Sequence, residues 1–195
     1  NFRPTARWQQ NQQVILRRLQ MMVRLDFSEI APLAGPRVPY DMELNFGFKG
    51  SQQVTIPINE EERIYVRGSI DRVDRIGDTL YVIDYKSGST GIPVKEMETG
   101  RNFQMMVYLL ALDEMLRQRG DTHLRVGGGF FWHIRNQKNS GKFDIDADVT
   151  VFDMPEIESA RQHLTRHLRN ARQGDFREQP SNAQNGRCTS YCDFY

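Results

Sequence analysis

Cysteine is nearly absent from this 195-residue chain: two occur, at positions 188 and 192. That excludes a disulfide-stapled secreted scaffold, and the cytoplasm is the default location. Long apolar runs are missing too. No stretch approaches the roughly 20 residues that cross a bilayer, so no membrane association is expected. Residues 1–8 carry two arginines and no apolar stretch, and no secretory signal is read there. The first residue is not Met, which points to a fragment or a processed chain. Net charge is also nearly absent, +1 from 26 basic and 25 acidic residues. No Gly-x-x-x-x-Gly-Lys-Ser/Thr loop occurs, so any ATP-driven motor would sit elsewhere in a longer polypeptide or in a partner.

The near-zero charge hides a bias. Lysine is scarce, 5 residues against 21 arginines. Residues 1–24 hold five arginines and no acid, and residues 161–177 hold five more with Asp175 as the sole acid. The planar guanidinium suits phosphate, so local contact with a polyanion and a merely solvated helix face both fit these segments. Arg166, Arg169 and Arg172 follow at steps of three on the second of them. With 38% hydrophobic residues, the chain can bury one core.

Apolar residues at helical spacing predict a helix over 5–26, with Pro4 suited to its first turn. Three prolines and a glycine make 31–39 a loop. From Tyr40 the period changes to two, and Met42, Leu44, Phe46 and Phe48 mark a strand. Residues 53–58 are its expected hairpin partner. Two strands follow, 63–75 and 79–86, across the turn Ile76-Gly77-Asp78. The second is almost wholly apolar until its end, as a central strand would be. A Gly/Ser/Thr/Pro-rich connection with a short helix at 94–97 leads to a helix over 102–119 that Gly120 stops. Residues 124–134 are strand-like, with Phe130, Phe131 and Trp132 read as core rather than as a base-stacking surface. A polar strand or loop over 142–152 and a helix over 155–172 complete the order. This order predicts a mixed α/β domain: a central mixed sheet with an antiparallel meander, flanked by helices.

One stretch carries chemistry. Gly68-Ser69-Ile70-Asp71 is followed by Asp84-Tyr85-Lys86-Ser87-Gly88. Alternation puts Asp84 and Lys86 on one side of a strand and Tyr85 on the other. A hairpin turning at Gly77-Asp78 makes paired positions sum to about 155, which sets Asp71 opposite Asp84. Two carboxylates so placed repel unless a cation lies between them. Hard oxygen ligands suit Mg2+ or Mn2+, which can polarise a phosphoryl oxygen and lower the pKa of a water. Lys86 would orient that water or stabilise charge on the phosphoryl oxygens. The alternative is a surface hairpin with an Asp84–Lys86 salt bridge.

At these residues the chain resembles the RecB-like branch of the PD-(D/E)XK nuclease superfamily. That branch shows Gly-x-x-Asp, then Asp-Tyr-Lys, then Gln-x-x-x-Tyr on the following helix. Here these are Gly68 to Asp71, Asp84 to Lys86, and Gln104 to Tyr108. The resemblance covers about residues 40–115. It implies a restriction-endonuclease-like nuclease core in 40–173, an N-terminal helix and loop in 1–39 and a tail in 174–195, one domain in all. It implies Asp71, Asp84 and the Tyr85 carbonyl as ligands of Mg2+ or Mn2+, Lys86 as catalytic, and Gln104 and Tyr108 as lining the site or touching DNA. The implied activity is metal-dependent DNA hydrolysis, as an exonuclease in end processing and recombination repair. The implied partners are DNA and a helicase domain or subunit, as in AddB and RecB helicase–nucleases. An inert nuclease-fold module that binds DNA or a partner subunit is the alternative.

Two departures stand out. Relatives of the branch hold an iron–sulphur cluster with four cysteines, three near the C-terminus. This chain offers only Cys188 and Cys192, spaced Cys-x3-Cys, so a cluster would need cysteines outside the chain. Many members also carry a His on an early helix near the metal. The four histidines here, His123, His133, His163 and His167, all follow the motifs. Glu43 is a candidate extra acid. His163 and His167 have zinc-ligand spacing but no accompanying Glu between them, which disfavours a zinc site.

Overall fold

The computed structural model describes residues 5–28, 31–59 and 62–176. In chain order the elements are α1 (Ala6–Asp26), β1 (Val38–Phe46), β2 (Val54–Pro57), β3 (Arg63–Val66), β4 (Gly68–Ile76), β5 (Thr79–Lys86), α2 (Val94–Glu98), α3 (Gln104–Arg119), β6 (Arg125–His133), β7 (Lys138–Asp144), a 3-10 turn at Val151–Asp153 and α4 (Pro155–Arg172). Five strands make the central sheet, in the order β1-β4-β5-β6-β7. Its neighbours are antiparallel except β5 and β6, which run parallel and so need a crossover. Helices α2 and α3 supply it. The expected mixed α/β architecture is the one found.

Strand β5 sits in the middle because its side chains are apolar on both faces. Leu80, Val82 and Ile83 are fully buried. On one face Val73, Leu80 and Val82 pack under Met105, Met106 and Leu109 of α3. On the other, Ile83, Phe130 and Trp132 pack against Met22 of α1 and Leu33. The sheet is thus covered on both sides, and the 130–132 aromatics are core. Gly120, with φ +74°, ends α3 in the left-handed conformation. Gly128, with φ +131°, allows β7 to close on β6, because a Cβ there would lie 1.9 Å from the Phe143 carbonyl oxygen.

Three expectations need correction. The hairpin partner of β1 is not 53–58. Strand β1 pairs with β4, Leu44 opposite Ile70, while β2 pairs with β3 in a separate two-stranded sheet. Alternation tells which face is buried, not which strand lies alongside. Val54 and Ile56 bury against the α3 layer instead. The strand expected over 63–75 is broken at Arg67 into β3 and β4. The apolar stripe of β1 is also interrupted. Leu44 and Phe46 are buried, but Met42 and Phe48 are exposed. The register of β1 slips between Pro39 and Asp41, and Glu43 adopts φ +52°.

Helix α1 is capped by Thr5, whose hydroxyl accepts from the Trp8 N–H. All residues from 6 to 17 are exposed, and only Met22 and Asp26 of the helix are buried. Among the described residues, no helix is long and apolar enough to cross a membrane. Pro4, Cys188 and Cys192 lie outside the described residues.

Candidate active site

The β4–β5 hairpin turns at Gly77 and Asp78, and its pairs, from Ile76↔Thr79 to Arg72↔Ile83, all sum to 155. Continued one step, this register sets Asp71 opposite Asp84. The ladder is not continued there. Instead the Tyr85 N–H donates to Asp71 Oδ2 at 2.8 Å. A carboxylate takes the place of a strand partner at the point where the two acids meet.

Asp84 is 2% exposed and points toward the N-terminal turn of α3. Its Oδ1 accepts from Gln104 Nε2 at 2.8 Å. Its Oδ2 lies 2.7 Å from Lys86 Nζ, an ion pair without hydrogen-bond angles, so this buried oxygen has no well-formed hydrogen bond. Lys86 Nζ in turn donates to Gln104 Oε1 at 2.6 Å and sits 5.1 Å from the centre of the Phe131 ring. Gln104 Nε2 also donates to the Tyr108 hydroxyl at 3.0 Å. Asp84, Lys86 and Gln104 therefore close a ring of polar contacts, with Tyr108 one turn further along α3. The i,i+4 spacing of Gln104 and Tyr108 makes this possible.

Charge within the site follows burial. Removal from water pushes the Asp84 carboxyl above the usual carboxylate range; Lys86 pulls it back and nearby Asp71 pushes it further up. Burial likewise raises the Tyr108 hydroxyl, the Gln104 hydrogen bond lowers it, and the charges of Asp84, Asp71 and Glu43 raise it again. Glu43 lies across from Asp71, between the pairs Met42↔Arg72 and Leu44↔Ile70, and is exposed. The structure does not gather it with the other two acids. Among the described residues, no three His, Cys, Asp or Glu side chains form a group able to hold a metal.

The donor set still fits a hard divalent cation. It offers two carboxylates, one with a buried oxygen lacking a good hydrogen bond, beside the backbone of Tyr85. Carboxylate and carbonyl oxygens suit hard cations such as Mg2+ or Mn2+. His163 and His167 show no zinc arrangement. His163 Nδ1 accepts from Arg166 at 2.8 Å and His167 packs edge-on against Phe103.

Sequence reasoning missed two supports. His133 pairs with Lys86 in the β5–β6 register and is buried. Its Nδ1 lies 3.2 Å from the Gly88 carbonyl, which can only accept, so that nitrogen carries the proton. Its Nε2 then accepts from Ser140 Oγ at 2.8 Å, and Ser140 Oγ accepts from the Ile92 N–H. This strap ties the connection after Lys86 to β7. The second support lies on the opposite sheet face. Arg72 donates to both oxygens of Asp74, at 2.6 and 2.5 Å, to Asp26 Oδ2 at 2.8 Å and to the Tyr85 hydroxyl at 3.0 Å. Arg37 pairs with Asp26 at 2.8 Å and Asp74 at 3.4 Å. All four charged side chains are at most 6% exposed. Burial alone would lower the pKa of Arg72, but its bonds to Asp74 and Tyr85 outweigh this and hold it above the ordinary value. The one sequence signal is Arg72-x-Asp74, opposite charges on one face of a buried strand.

The sequence profile of the PD-(D/E)XK nuclease superfamily matches residues 2–195. The chain belongs to the PD-(D/E)XK nuclease superfamily. Within this superfamily its curated relatives are named as B-type subunits of an ATP-dependent helicase/deoxyribonuclease, as expected for the RecB-like branch. The protein of Alkaliphilus oremlandii is 34% identical over 105 residues, 51% of this chain and 9% of its own length. That of Clostridium tetani is 30% identical over 112 residues, 55% of this chain and 10% of its own. That of Listeria welshimeri is 31% identical over 105 residues, 51% of this chain and 9% of its own. The matched stretch thus covers about a tenth of the length of these relatives.

Proposed function

We propose that the chain is a Mg2+- or Mn2+-dependent deoxyribonuclease domain, acting as an exonuclease on DNA ends within a larger helicase–nuclease of the cytoplasm. The observation that carries this reading is the convergence of Asp71, Asp84 and Lys86, with Gln104 and Tyr108, at one end of the central strand pair. Asp71, Asp84 and the Tyr85 carbonyl would hold the cation. When bound, it supplies charge neutralisation at the scissile phosphate and a lowered pKa for the attacking water.

The side chains divide the remaining work. The Lys86 ammonium, 2.7 Å from Asp84 Oδ2, would stabilise negative charge growing on the phosphoryl oxygens. Gln104 holds Lys86 and Asp84 at fixed separation through the two ends of its amide. Tyr108 accepts from Gln104, so its own proton stays free to donate to a phosphate oxygen.

End-labelled single- and double-stranded DNA, incubated with Mn2+ or with EDTA, tests the reading. The parent degrades DNA only with metal, and Asp84→Ala and Lys86→Ala lose the activity. One observation favours a second reading, an inert module that binds DNA or a partner subunit: Lys86 and Gln104 already occupy the two oxygens of Asp84, and among the described residues no third carboxylate joins the pair. A parent that retains labelled DNA but leaves it intact with Mn2+ supports that second reading.

A further inference from the structure

The peptide between Asp84 and Lys86 has an unusual mooring. On the β6 side it is paired normally, Asp84 opposite Phe131, Tyr85 opposite Trp132 and Lys86 opposite His133. On the β4 side the paired register stops at Arg72↔Ile83. One flank of the segment that carries the site therefore lacks its strand neighbour. What the Tyr85 N–H finds there is the Asp71 carboxylate. A carboxylate on one side chain is a softer anchor than a strand, since it can rotate away.

The Tyr85 ring makes up for the missing flank from behind. Alternation sends it to the face opposite Asp84 and Lys86, where it packs with Ile83, Phe130 and Trp132. Its hydroxyl accepts from Arg72 Nη1 at 3.0 Å. Arg72 cannot follow a moving tyrosine, because all three guanidinium nitrogens are engaged by Asp74 and Asp26. Those acids are held in turn by Arg37, and both guanidiniums lie over the Phe27 ring, whose centre is 4.9 Å from Arg37 and 5.7 Å from Arg72. Each of these four buried charges has an opposite charge beside it, which leaves the set few alternative arrangements.

We propose that Arg72 and Tyr85 are positioning residues, which from the rear face of the sheet fix the Tyr85 peptide and, through its N–H, the Asp71 carboxylate in the arrangement that receives a divalent cation. The consequence for the cation rests on the nuclease reading; the mooring of Asp71 does not. Groups that orient ligand residues commonly change metal affinity by tenfold or more when removed.

Tyr85→Phe keeps the ring and deletes only the hydroxyl, and Tyr81→Phe, on the same face of the same strand, is the matched control. Two quantities are read on folded protein: amide hydrogen exchange at residue 85 without metal, and Mn2+ affinity by calorimetry. In Tyr85→Phe the residue-85 amide exchanges faster than the global change in stability explains, and the Mn2+ dissociation constant rises about tenfold. Tyr81→Phe alters neither. An unchanged amide rate overturns the proposal, as does unchanged Mn2+ affinity, even if the melting temperature falls, because a purely structural tyrosine would give that pattern. Should the parent itself bind no Mn2+, the nuclease reading fails while the amide rate still decides the mooring of Asp71.

Discussion

Replacing Arg72 by Met should cost far more than a typical point substitution. The buried set holds two guanidiniums and two carboxylates, so it is neutral as it stands. Methionine fills much of the arginine volume but removes four hydrogen bonds, to Asp74 at 2.6 and 2.5 Å, Asp26 at 2.8 Å and Tyr85 at 3.0 Å. Two carboxylates, 3% and 0% exposed, are then left to share Arg37. Breaking a buried pair from one side costs about 3–5 kcal/mol. That is a large share of the roughly 5–15 kcal/mol that holds a domain folded. At about 2–4 °C per kcal/mol for a chain of this size, the melting temperature drops by roughly 6–20 °C. Thermal and urea unfolding followed by circular dichroism measure it. The double variant Arg72→Met/Asp74→Leu restores neutrality and should be more stable than Arg72→Met alone by about 1 kcal/mol or more. A single variant melting within about 3 °C of the parent would refute the argument. So would a double variant whose loss equals or exceeds the sum of the two single losses.

Asp84→Asn should abolish DNA degradation and yet stabilise the metal-free protein at neutral pH. The folded-state pKa of Asp84 lies above the unfolded one, so in the parent stability declines as pH rises through that interval, and the cost persists above it. The gain from Asn therefore vanishes in acid and is complete near pH 7; paired melts at several pH values check it, and a variant less stable than the parent at neutral pH contradicts it. Mn2+ at about 100 times its dissociation constant should stabilise the parent by about 2.7 kcal/mol, and EDTA should reverse the shift. Asp84→Asn should show little of this shift in a thermal scan. Gly128→Ala should destabilise by about 1–3 kcal/mol or more, since φ +131° and a Phe143 carbonyl 1.9 Å from the new Cβ both oppose it; an unchanged urea midpoint would show that β7 can shift to make room.

Local signals carry most of the site. The hairpin sum of 155 follows from a two-residue turn at Gly77-Asp78, and it holds along the whole β4–β5 ladder. Helical spacing brings Gln104 and Tyr108 together, and Gly120 and Pro155 mark helix ends. What escapes is long-range. Alternation alone offers β1 its nearest neighbour in sequence, whereas its partner lies beyond an intervening two-stranded sheet. Asp26, Arg37, Arg72 and Asp74 come from a helix end, a loop and a strand, and no periodicity links them. Composition makes arginine a solvent-facing or polyanion-seeking residue, yet Arg37 and Arg72 are interior cross-links. His133 follows the motifs in the chain, which hides it from an argument on sequence order, though parallel pairing brings it beside Lys86.

The interior location of these cross-links separates two responses to ionic strength. Mobile ions screen exposed charges within about 10 Å at 0.1 M salt, but they do not enter a site that excludes water. Exposed arginines such as Arg101 and Arg172 face that atmosphere directly. The Arg37–Asp26–Arg72–Asp74 set does not. Brine strong enough to loosen the outer charges would leave this internal brace, and the peptide it steadies, as it found them.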